Sequence, residues 1–438
     1  MASPQPPLNP RIAILGAGPI GLETAFEAAR RGFDVALYDA GRVAEHWRRF
    51  ADVTLFTPFG MNASERGRGR LRERGVDLPP DDAILTAGEI VARYLDPLAR
   101  LPELEGRVFE RTRVVQIARE GLMKSDGIVA VGDHSRVGRT FLLRLEPEGR
   151  PARFERADVV IDATGVYANP RATGPGGLAA LGEEALGARI DRHIVALAGG
   201  ARARYAGKRV LLVGDGHSAA TALVGFAALA EQGVAATVTW IRRRAAGAGP
   251  GTDAAAGGSV VVDPFAVQSC DPLPERARLG ARANRIARES AWLTTFAGAV
   301  IESYGAEGDA IAVTLRDADG APRRIVVDQV LALVGYRPDA AIHRELQVHI
   351  CYASEAPMAL ATAMLAASAT SPDAGGDCLK QTTHGAETHR TPEPGFYIVG
   401  AKSYGRNPQF LLSLGHRQIE EILGLVEGYL GAPAGASR

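Results

Sequence analysis

Apolar and polar positions near the N-terminus follow a pattern that predicts a strand, a helix and a second strand. The apolar run Arg11–Leu15 has the length of a buried strand, and residues 20–31 place their apolar side chains on one stripe of a helix. Gly32 is suited to end that helix, and the next apolar run, Phe33–Tyr38, finishes at Asp39. The pattern is typical of a β-α-β unit with an acid after its second strand.

The second half of the chain partly repeats this plan. Lys208–Val213 and Ala235–Ile241 are predicted strands, and Ser218–Gln232 between them is a predicted helix. Further along, Asp328–Gly335 echoes Asp158–Gly165, because each consists of an acid, an apolar strand and a glycine, and each follows a predicted hairpin. The repeat predicts two related nucleotide-binding domains of the α/β class, one inserted into the other.

The turn after the first strand, Gly16–Gly21, has the G-x-G-x-x-G spacing of a dinucleotide-binding loop. Its glycines permit the tight turn, the approach of a pyrophosphate to the backbone and close packing of helix on strand, and the diphosphate meets the positive end of the helix. Asp39 is placed to accept hydrogen bonds from a ribose and to repel a 2′-phosphate, and the N-terminal position favours FAD over NAD. The residues predicted to bind this cofactor are Gly16, Gly18, Pro19, Ile20, Gly21 and Asp39.

A second loop, Gly214–Ala219, has alanine in place of the third glycine, which the fold tolerates. The strand after its helix ends in three arginines, 242–244, and no acid stands there. Because arginine offers planar, paired donors that suit a phosphate, we expect NADPH at this loop; a solvated arginine cluster is the alternative. The residues predicted to bind it are Gly214, Gly216, His217, Ser218, Ala219, Arg242 and Arg243.

Composition narrows the classes of function. The chain has 438 residues and a formal net charge of zero, which gives no indication of nucleic acid or an anionic membrane as a partner. It has three cysteines, so a disulfide framework is not expected, and no histidine or cysteine spacing suggests a metal site. Without a secretory pattern or an apolar run of about 20 residues, a cytoplasmic protein acting on a small molecule is expected.

Several segments resemble flavoproteins with two dinucleotide-binding domains, and among these most closely the flavin-containing monooxygenases and their N-hydroxylating relatives. The segments are Gly16–Ala25 (the FAD loop), His46–Arg48 (a tryptophan segment that here lacks two preceding glycines), Asp162–Gly165 (the linking strand), Tyr205–Ala219 (the NADPH-domain entry) and Gly335–Pro338 (the return). The resemblance implies two Rossmann-like domains, with the NADPH domain (205–334) inserted between the two parts of the FAD domain (1–204 and 335–438).

The same resemblance implies further site residues. Cofactor contacts are implied for Trp47, Thr164, Gly165, Gly400 and Asn407, and a catalytic position near the flavin for Asn62, for which a turn asparagine is the alternative. The family's histidine-containing signature is absent, and His193 has only a positional likeness to its histidine. Ala401 stands where many relatives have an aspartate for the ribityl chain. Asn407 and Pro408 are expected to begin a helix from Gln409 to Gly424 that points at the flavin.

The resulting first hypothesis is an FAD enzyme that NADPH reduces and that oxygenates a small nucleophilic substrate through a flavin C4a-(hydro)peroxide. A second hypothesis keeps both cofactors but passes electrons to a disulfide, a quinone or another acceptor. A third is a non-catalytic flavoprotein that responds to nucleotides. The sequence leaves open the substrate, the choice between NADPH and NADH, a homo-oligomeric state, and the role of Cys351 and Cys378.

Overall fold

A computed structural model describes residues 10–127, 135–244, 263–267, 271–370 and 382–431. The strands are β1 Arg11–Leu15, β2 Asp34–Tyr38, β3 Val108–Phe109, β4 Thr112–Arg119, β5 Phe141–Pro147, β6 Arg153–Ala157, β7 Val159–Asp162, β8 Ile190–Asp191, β9 Arg209–Val213, β10 Thr237–Arg242, β11 Leu293–Ala297, β12 Val300–Glu307, β13 Ala310–Arg316, β14 Pro322–Val327, β15 Gln329–Ala332 and β16 Phe396–Ile398. The helices are α1 Pro19–Arg30, α2 Glu45–Arg49, α3 Phe59–Asn62, α4 Glu65–Glu73, α5 Ala87–Ile90, α6 Asp96–Ala99, α7 Glu183–Leu186, α8 Arg202–Tyr205, α9 His217–Glu231, α10 Pro274–Glu289, α11 Met358–Thr370 and α12 Leu412–Gly431.

The first sheet contains the predicted β-α-β unit. Its strands run in the order β16-β7-β1-β2-β3, and all of its neighbouring pairs are parallel. Alternate residues of β1 serve two cores, because side chains of a strand point to opposite faces. Ile12 and Ile14 pack with α1 and α12 on one face. Ala13 and Leu15 pack on the other face against the antiparallel sheet β4-β5-β6.

The second sheet is built in the same way. Its strands run β11-β10-β9-β15-β8, again in parallel, and along the chain they all lie between β7 and β16 of the first sheet. Val210 and Leu212 of β9 pack with α9 and α10, whereas Leu211 and Val213 pack with the antiparallel sheet β12-β13-β14. The α/β class and the two Rossmann-like sheets predicted from the sequence are therefore confirmed.

The echoed segments play the same part in each sheet. The Asp158 carboxylate accepts a hydrogen bond from the N–H of Arg11, at 2.8 Å, where β1 begins. The Asp328 carboxylate accepts one from the N–H of Arg209, at 2.9 Å, where β9 begins. Each acid thus fixes the register of the strand that leads into a glycine loop, which explains why the pattern occurs twice.

The C-terminal region differs from the prediction. The last helix begins at Leu412 and ends at Gly431, so the predicted start at Gln409, with Asn407 as N-cap and Pro408 at N1, is wrong. The Asn407 side chain instead accepts a hydrogen bond from the N–H of Gln409, at 3.0 Å, and closes a local turn. Such Asx turns compete with helix capping for the same backbone donors.

Candidate functional site

The first glycine loop is packed tightly on one side and open on the other. Gly16 has φ +94°, and a Cβ there would lie 2.7 Å from the carbonyl oxygen of Ala163. A Cβ on Gly21 would lie 1.8 Å from the carbonyl oxygen of Gly16. A Cβ on Gly18 would meet nothing within 4 Å, and no side chain caps the start of α1. The loop therefore offers uncapped N–H groups to a ligand approaching from the open side.

Asp39 holds this loop in shape. Its carboxylate accepts hydrogen bonds from the N–H of Ala17 at 2.6 Å and from the N–H of Gly41 at 2.7 Å. Burial raises the pKa of Asp39 above its ordinary value, although these two N–H groups act in the opposite direction. Each carboxylate oxygen keeps a lone pair for a further donor, so the side chain remains able to accept a ribose hydroxyl.

The residues that follow β7 and β16 pack against the same glycine loop. The Cα atom of Thr164 would lie 2.8 Å from a Cβ at Gly16, and Gly165 follows it with φ +68°. The side chain of Ile20, at the start of α1, would lie 3.4 Å from a Cβ at Gly400. The structure thus gathers most residues of the predicted first site at one edge of the first sheet. Pro19 is buried as the first residue of α1.

A buried ion pair lies beside this edge and was not foreseen. The ammonium of Lys402 donates to Asp162 at 2.6 Å and to the Thr164 hydroxyl at 2.9 Å. Burial alone would raise the pKa of Asp162, but Lys402 and His343 lower it well below its ordinary range. An aspartate at the end of an otherwise apolar strand was the available signal, since a buried carboxylate needs a cationic or hydrogen-bonding partner.

The second glycine loop has the same geometry. Gly214 has φ +129°, and a Cβ there would lie 2.3 Å from the carbonyl oxygen of Leu333 in the returning segment. Gly216 precedes α9, a Cβ on it would meet nothing within 4 Å, and no side chain caps the helix. Within the loop, His217 and Ser218 are exposed, whereas Ala219 is buried against the strand as the fold requires.

The three arginines after this loop are not equivalent. Arg242 is 7% exposed, and its guanidinium lies 5.1 Å from the ring centre of Trp240. The indole N–H of Trp240 donates to the carbonyl of Gly214 at 2.7 Å, so this stack supports the loop. Burial lowers the pKa of Arg242. Arg243 is exposed, and Arg244 lies 3.6 Å from the carboxylate of Asp215. Arg243 is therefore the more accessible of the two predicted phosphate contacts.

Asn62 lies at the end of the short helix α3 and is buried. Its amide nitrogen donates to the carbonyls of Thr57 at 2.9 Å and Pro58 at 3.1 Å. Its amide oxygen accepts a hydrogen bond from the Thr57 hydroxyl at 2.8 Å. Both amide hydrogens already stabilise the local turn, so Asn62 can donate to a substrate only if one of these bonds breaks, whereas its amide oxygen keeps one lone pair for a further donor.

Aromatic and histidine side chains join α2 to the segments that follow β7, β8 and β15. His193 Nδ1 lies 3.0 Å from the Tyr336 hydroxyl, and their rings are stacked. Tyr167 contacts the Tyr336 ring edge-on, and His46 lies 6.0 Å from Tyr167 and 6.2 Å from His193. Burial lowers the pKa of His46 to about 4. Trp47, beside His46, is half-buried and packs on the first core.

The part of the chain that the structure describes offers few other groups suited to catalysis or metal binding. Its residues include no cluster of His, Cys, Asp or Glu suited to a metal ion. None of its helices is both long enough and apolar enough to cross a membrane. Cys351 is a free thiol whose pKa is lowered by hydrogen bonds from the Ser354 side chain and from the backbone N–H groups of Ala353 and Ser354. Cys270 and Cys378 lie outside the described residues.

Solved structures resemble the chain over nearly its whole length. A bacillithiol disulfide reductase from Bacillus cereus is 16% identical, with 96% of this chain and 99% of that chain covered and a TM-score of 0.64. An ornithine hydroxylase from Pseudomonas aeruginosa is 15% identical, with 97% and 100% covered and a TM-score of 0.61. An ornithine N-hydroxylase from Kutzneria sp. 744, solved with reduced FAD, NADP⁺ and L-ornithine, is 14% identical, with 96% and 99% covered and a TM-score of 0.56.

These likenesses establish the fold. No protein-family model matches the chain, and a search of curated proteins gives no significant match. The fold is that of flavoproteins with two dinucleotide-binding domains, as the glycine loops and linking strands predicted. Reductases and N-hydroxylases share it, so the fold by itself does not distinguish their reactions.

Proposed function

We propose that the chain is an FAD-dependent oxidoreductase that NADPH reduces, and that its reduced flavin passes electrons to oxygen to oxygenate a small nucleophilic substrate. One observation carries the proposal: two open glycine loops, each before an uncapped helix, lie at the ends of β1 and β9 in two separate parallel sheets. Two such loops suit two dinucleotides, and a flavin reduced by a nicotinamide is the chemistry that uses both.

The protein's share of this chemistry is binding and orientation. The N–H groups around Gly18 would hold the diphosphate of FAD, and Asp39 would accept its ribose hydroxyls. Thr164 and Gly165 lie where the linking strand leaves this edge. Bound FAD would supply a centre that takes up two electrons from NADPH. Few acid–base residues are required because the cofactor carries the reaction.

NADPH rather than NADH is proposed for the second loop. Arg243 is exposed and directly follows the last residue of β10, where a 2′-phosphate is expected, and Arg244 is the next residue. No acid follows β10 to repel a phosphate. Residues 205–334 would form most of this domain and the flanking segments the FAD domain; β8, at Ile190–Asp191, pairs with β15 of the second sheet although it precedes residue 205.

A reductase is the second candidate, and Cys351 is the observation that favours it. Hydrogen bonds from Ser354 and Ala353 lower the pKa of the Cys351 thiol, which increases the fraction present as the nucleophilic thiolate. In this alternative the reduced flavin passes two electrons to a disulfide or a quinone instead of oxygen. A Cys351→Ser variant should lose activity only if the acceptor is reduced through this thiol.

One set of measurements tests the proposal. The purified protein should bind FAD, seen as a flavin absorbance spectrum, and should oxidise NADPH in air with one O₂ consumed per NADPH. NADPH oxidation that requires an added disulfide or quinone, and that persists without oxygen, would select the reductase. A protein that takes up no FAD overturns both, and one that binds FAD but oxidises no NADPH under either condition is a binding protein.

A further inference from the structure

The two glycine loops can be matched residue by residue through one backbone hydrogen bond. The N–H of Gly16 donates to the carbonyl of Tyr38 at 2.7 Å, and the N–H of Gly214 donates to the carbonyl of Ile241 at 3.1 Å. Each bond joins the first glycine of a loop to the strand that follows the loop's helix. The residues after the two glycines are therefore equivalent, and so are the residues after the two carbonyls.

The charges at these equivalent positions are exchanged between the loops. After the carbonyl, Asp39 at the first loop corresponds to Arg242 at the second. After the glycine, the fully buried Ala17 corresponds to Asp215, whose side chain is 19% exposed. The first loop thus takes its acid from the end of the strand, whereas the second loop carries its acid within the glycine turn.

The carboxylate of Asp215 lies among the arginines but keeps an oxygen free to accept a hydrogen bond. Its Oδ2 atom lies 3.6 Å from Nε of Arg244, which balances its charge at a distance too long for a hydrogen bond. This oxygen is buried and accepts no hydrogen bond from the described residues. Burial lowers the pKa of Arg242, and the charge of Asp215 opposes that shift. Asp215 therefore belongs to the arginine cluster and can still accept from a further donor.

Arg242 leaves a donor without a partner at the same end of β10. Its side chain belongs to a residue that is 7% exposed, and its Nε has no hydrogen-bond partner in the part of the chain that the structure describes. Buried polar groups are normally paired. A ligand that offers both a donor and an acceptor matches the unpaired atoms of Asp215 and Arg242.

The ribose beside the adenine is the part of NADPH that has both groups. The phosphates of the nucleotide accept hydrogen bonds and do not donate them, so a carboxylate would repel them. In this fold the ribose is recognised at the end of the strand after the loop's helix. Its 2′-oxygen carries the phosphate that arginines suit, and its 3′-hydroxyl remains a donor. We propose that Asp215 accepts a hydrogen bond from the 3′-hydroxyl of this ribose, while the arginines after β10 bind the 2′-phosphate.

This inference rests on the proposed binding of NADPH at the second loop and adds the residue that recognises its ribose. Because Arg244 balances the charge of Asp215, the acid does not cancel the attraction of the other arginines for a phosphate. The position of the phosphate on the ribose then becomes selective. A 3′-phosphate would bring its charge against Asp215 and would leave that carboxylate without a donor.

The test is calorimetric titration with 2′,5′-ADP and 3′,5′-ADP, which differ only in the ribose oxygen that carries the second phosphate. The protein is first saturated with FAD, so that the first loop is filled. Native protein should bind 2′,5′-ADP at least about tenfold more tightly, because only this isomer donates to the charged Asp215. Asp215→Asn should reduce that preference about tenfold, since the amide carries no charge. Asp309→Asn, at an exposed acid in the β12–β13 turn, is the matched control and should leave the preference unchanged.

The ratio of the two affinities separates recognition from folding, because a damaged loop would weaken both isomers alike. Equal affinities in the native protein, which test the inference without any substitution, would overturn it, as would an unchanged preference in Asp215→Asn. Tighter binding of both isomers alike in Asp215→Asn would also overturn it, because Asp215 would then only offset the arginines. These three outcomes leave the NADPH proposal standing, whereas binding of neither isomer overturns that proposal together with the inference.

Discussion

The glycines of each loop have two different physical tasks. Gly16 and Gly21 allow chain segments to approach closely, because a Cβ at either would lie within 3 Å of a backbone oxygen. Gly18 has an extended backbone with φ −72°, which any residue adopts, and its missing side chain leaves space only on the open side. Within one turn, Gly16 and Gly21 therefore serve the packing of the chain, whereas Gly18 serves the approach of a ligand.

A matched pair of substitutions tests this separation. Gly21→Ala should destabilise the cofactor-free chain by about 1–3 kcal/mol, because the new Cβ overlaps the Gly16 carbonyl. Gly18→Ala should cost at most about 1 kcal/mol, the difference between glycine and alanine at an N-cap, yet weaken FAD binding. Urea unfolding without FAD and fluorescence titration with FAD measure the two quantities. Equal loss of stability in both variants would contradict the assignment of Gly18 to ligand approach.

The arginines after β10 allow a second test at the residue scale. Arg243→Gln should weaken NADPH about tenfold, which corresponds to one lost charge-assisted phosphate contact, and should leave NADH unchanged. Arg242→Gln removes the buried guanidinium from above Trp240, so we expect it to lower stability and to disturb both nucleotides alike. Titration of each variant with both nucleotides measures this. An unchanged preference for NADPH in Arg243→Gln would move the phosphate contact elsewhere.

At the scale of elements, β7 and the turn after β16 are joined by a charge pair inside the protein. Asp162 is fully buried and Lys402 is 2% exposed. Removing one partner of such a pair leaves an uncompensated charge and costs about 3–5 kcal/mol. Because Thr164 shares the Lys402 ammonium, the pair also fixes the linking strand where it leaves the first sheet.

Lys402→Met should therefore destabilise the chain by about 3–5 kcal/mol at pH 7. The native pair holds the pKa of Asp162 below its unfolded value, so its contribution is present above that unfolded value and is lost only near the much lower folded pKa. Without Lys402, burial still raises the pKa of Asp162 and His343 is left to oppose it, so the carboxyl takes up a proton at a higher pH than in the native protein. The deficit relative to native protein should then shrink between pH 7 and pH 5 in denaturant titrations.

Two controls accompany this experiment. Lys208→Met, at an exposed lysine before β9 whose charge acts on Asp328 only weakly, should change stability by less than about 0.5 kcal/mol. Asp162→Asn combined with Lys402→Met should cost less than Lys402→Met alone, because no buried charge remains. A pH-independent deficit in Lys402→Met would show that lost packing, rather than the stranded carboxylate, is responsible.

The order of apolar residues, glycines and acids along the chain was sufficient to predict the elements whose residues are adjacent in sequence. The first β-α-β unit and its repeat follow from apolar periodicity, glycine spacing and the acids at 39, 158 and 328. The start of α12 was misplaced because Asn407 has the composition of a cap but closes its own turn. Lys402 could not be predicted as a partner of Asp162, since the two lie 240 residues apart and only the packing of β7 beside β16 brings them together.

At the scale of the whole molecule, the same arrangement of sheets and helices occurs twice in the chain. The first half is built on the sheet β16-β7-β1-β2-β3, and the second half on the sheet β11-β10-β9-β15-β8. In each half, helices cover one face of the parallel sheet and a three-stranded antiparallel sheet covers the other. Contacts between the halves include the Phe56 ring, 5.4 Å from that of His217 at the start of α9. Because each half has its own cores, a local defect in one sheet should weaken first the binding of the nucleotide proposed for that half.

The paired acids Asp158 and Asp328 test this independence. Asp158→Asn weakens the hydrogen bond to the N–H of Arg11, and Asp328→Asn weakens the one to the N–H of Arg209 together with an exposed ion pair to the Arg209 guanidinium. Each should cost about 1–2 kcal/mol, because an exposed ion pair adds little. Asp158→Asn should promote FAD release on heating with little effect on NADPH affinity, and Asp328→Asn should do the reverse. Flavin fluorescence reports on the first half, and tryptophan fluorescence mainly on the second, which contains Trp240 and Trp292. The double variant should show the sum of the two effects, because distant sites add. If either single substitution lowers both nucleotide affinities equally, the two halves act as one cooperative unit.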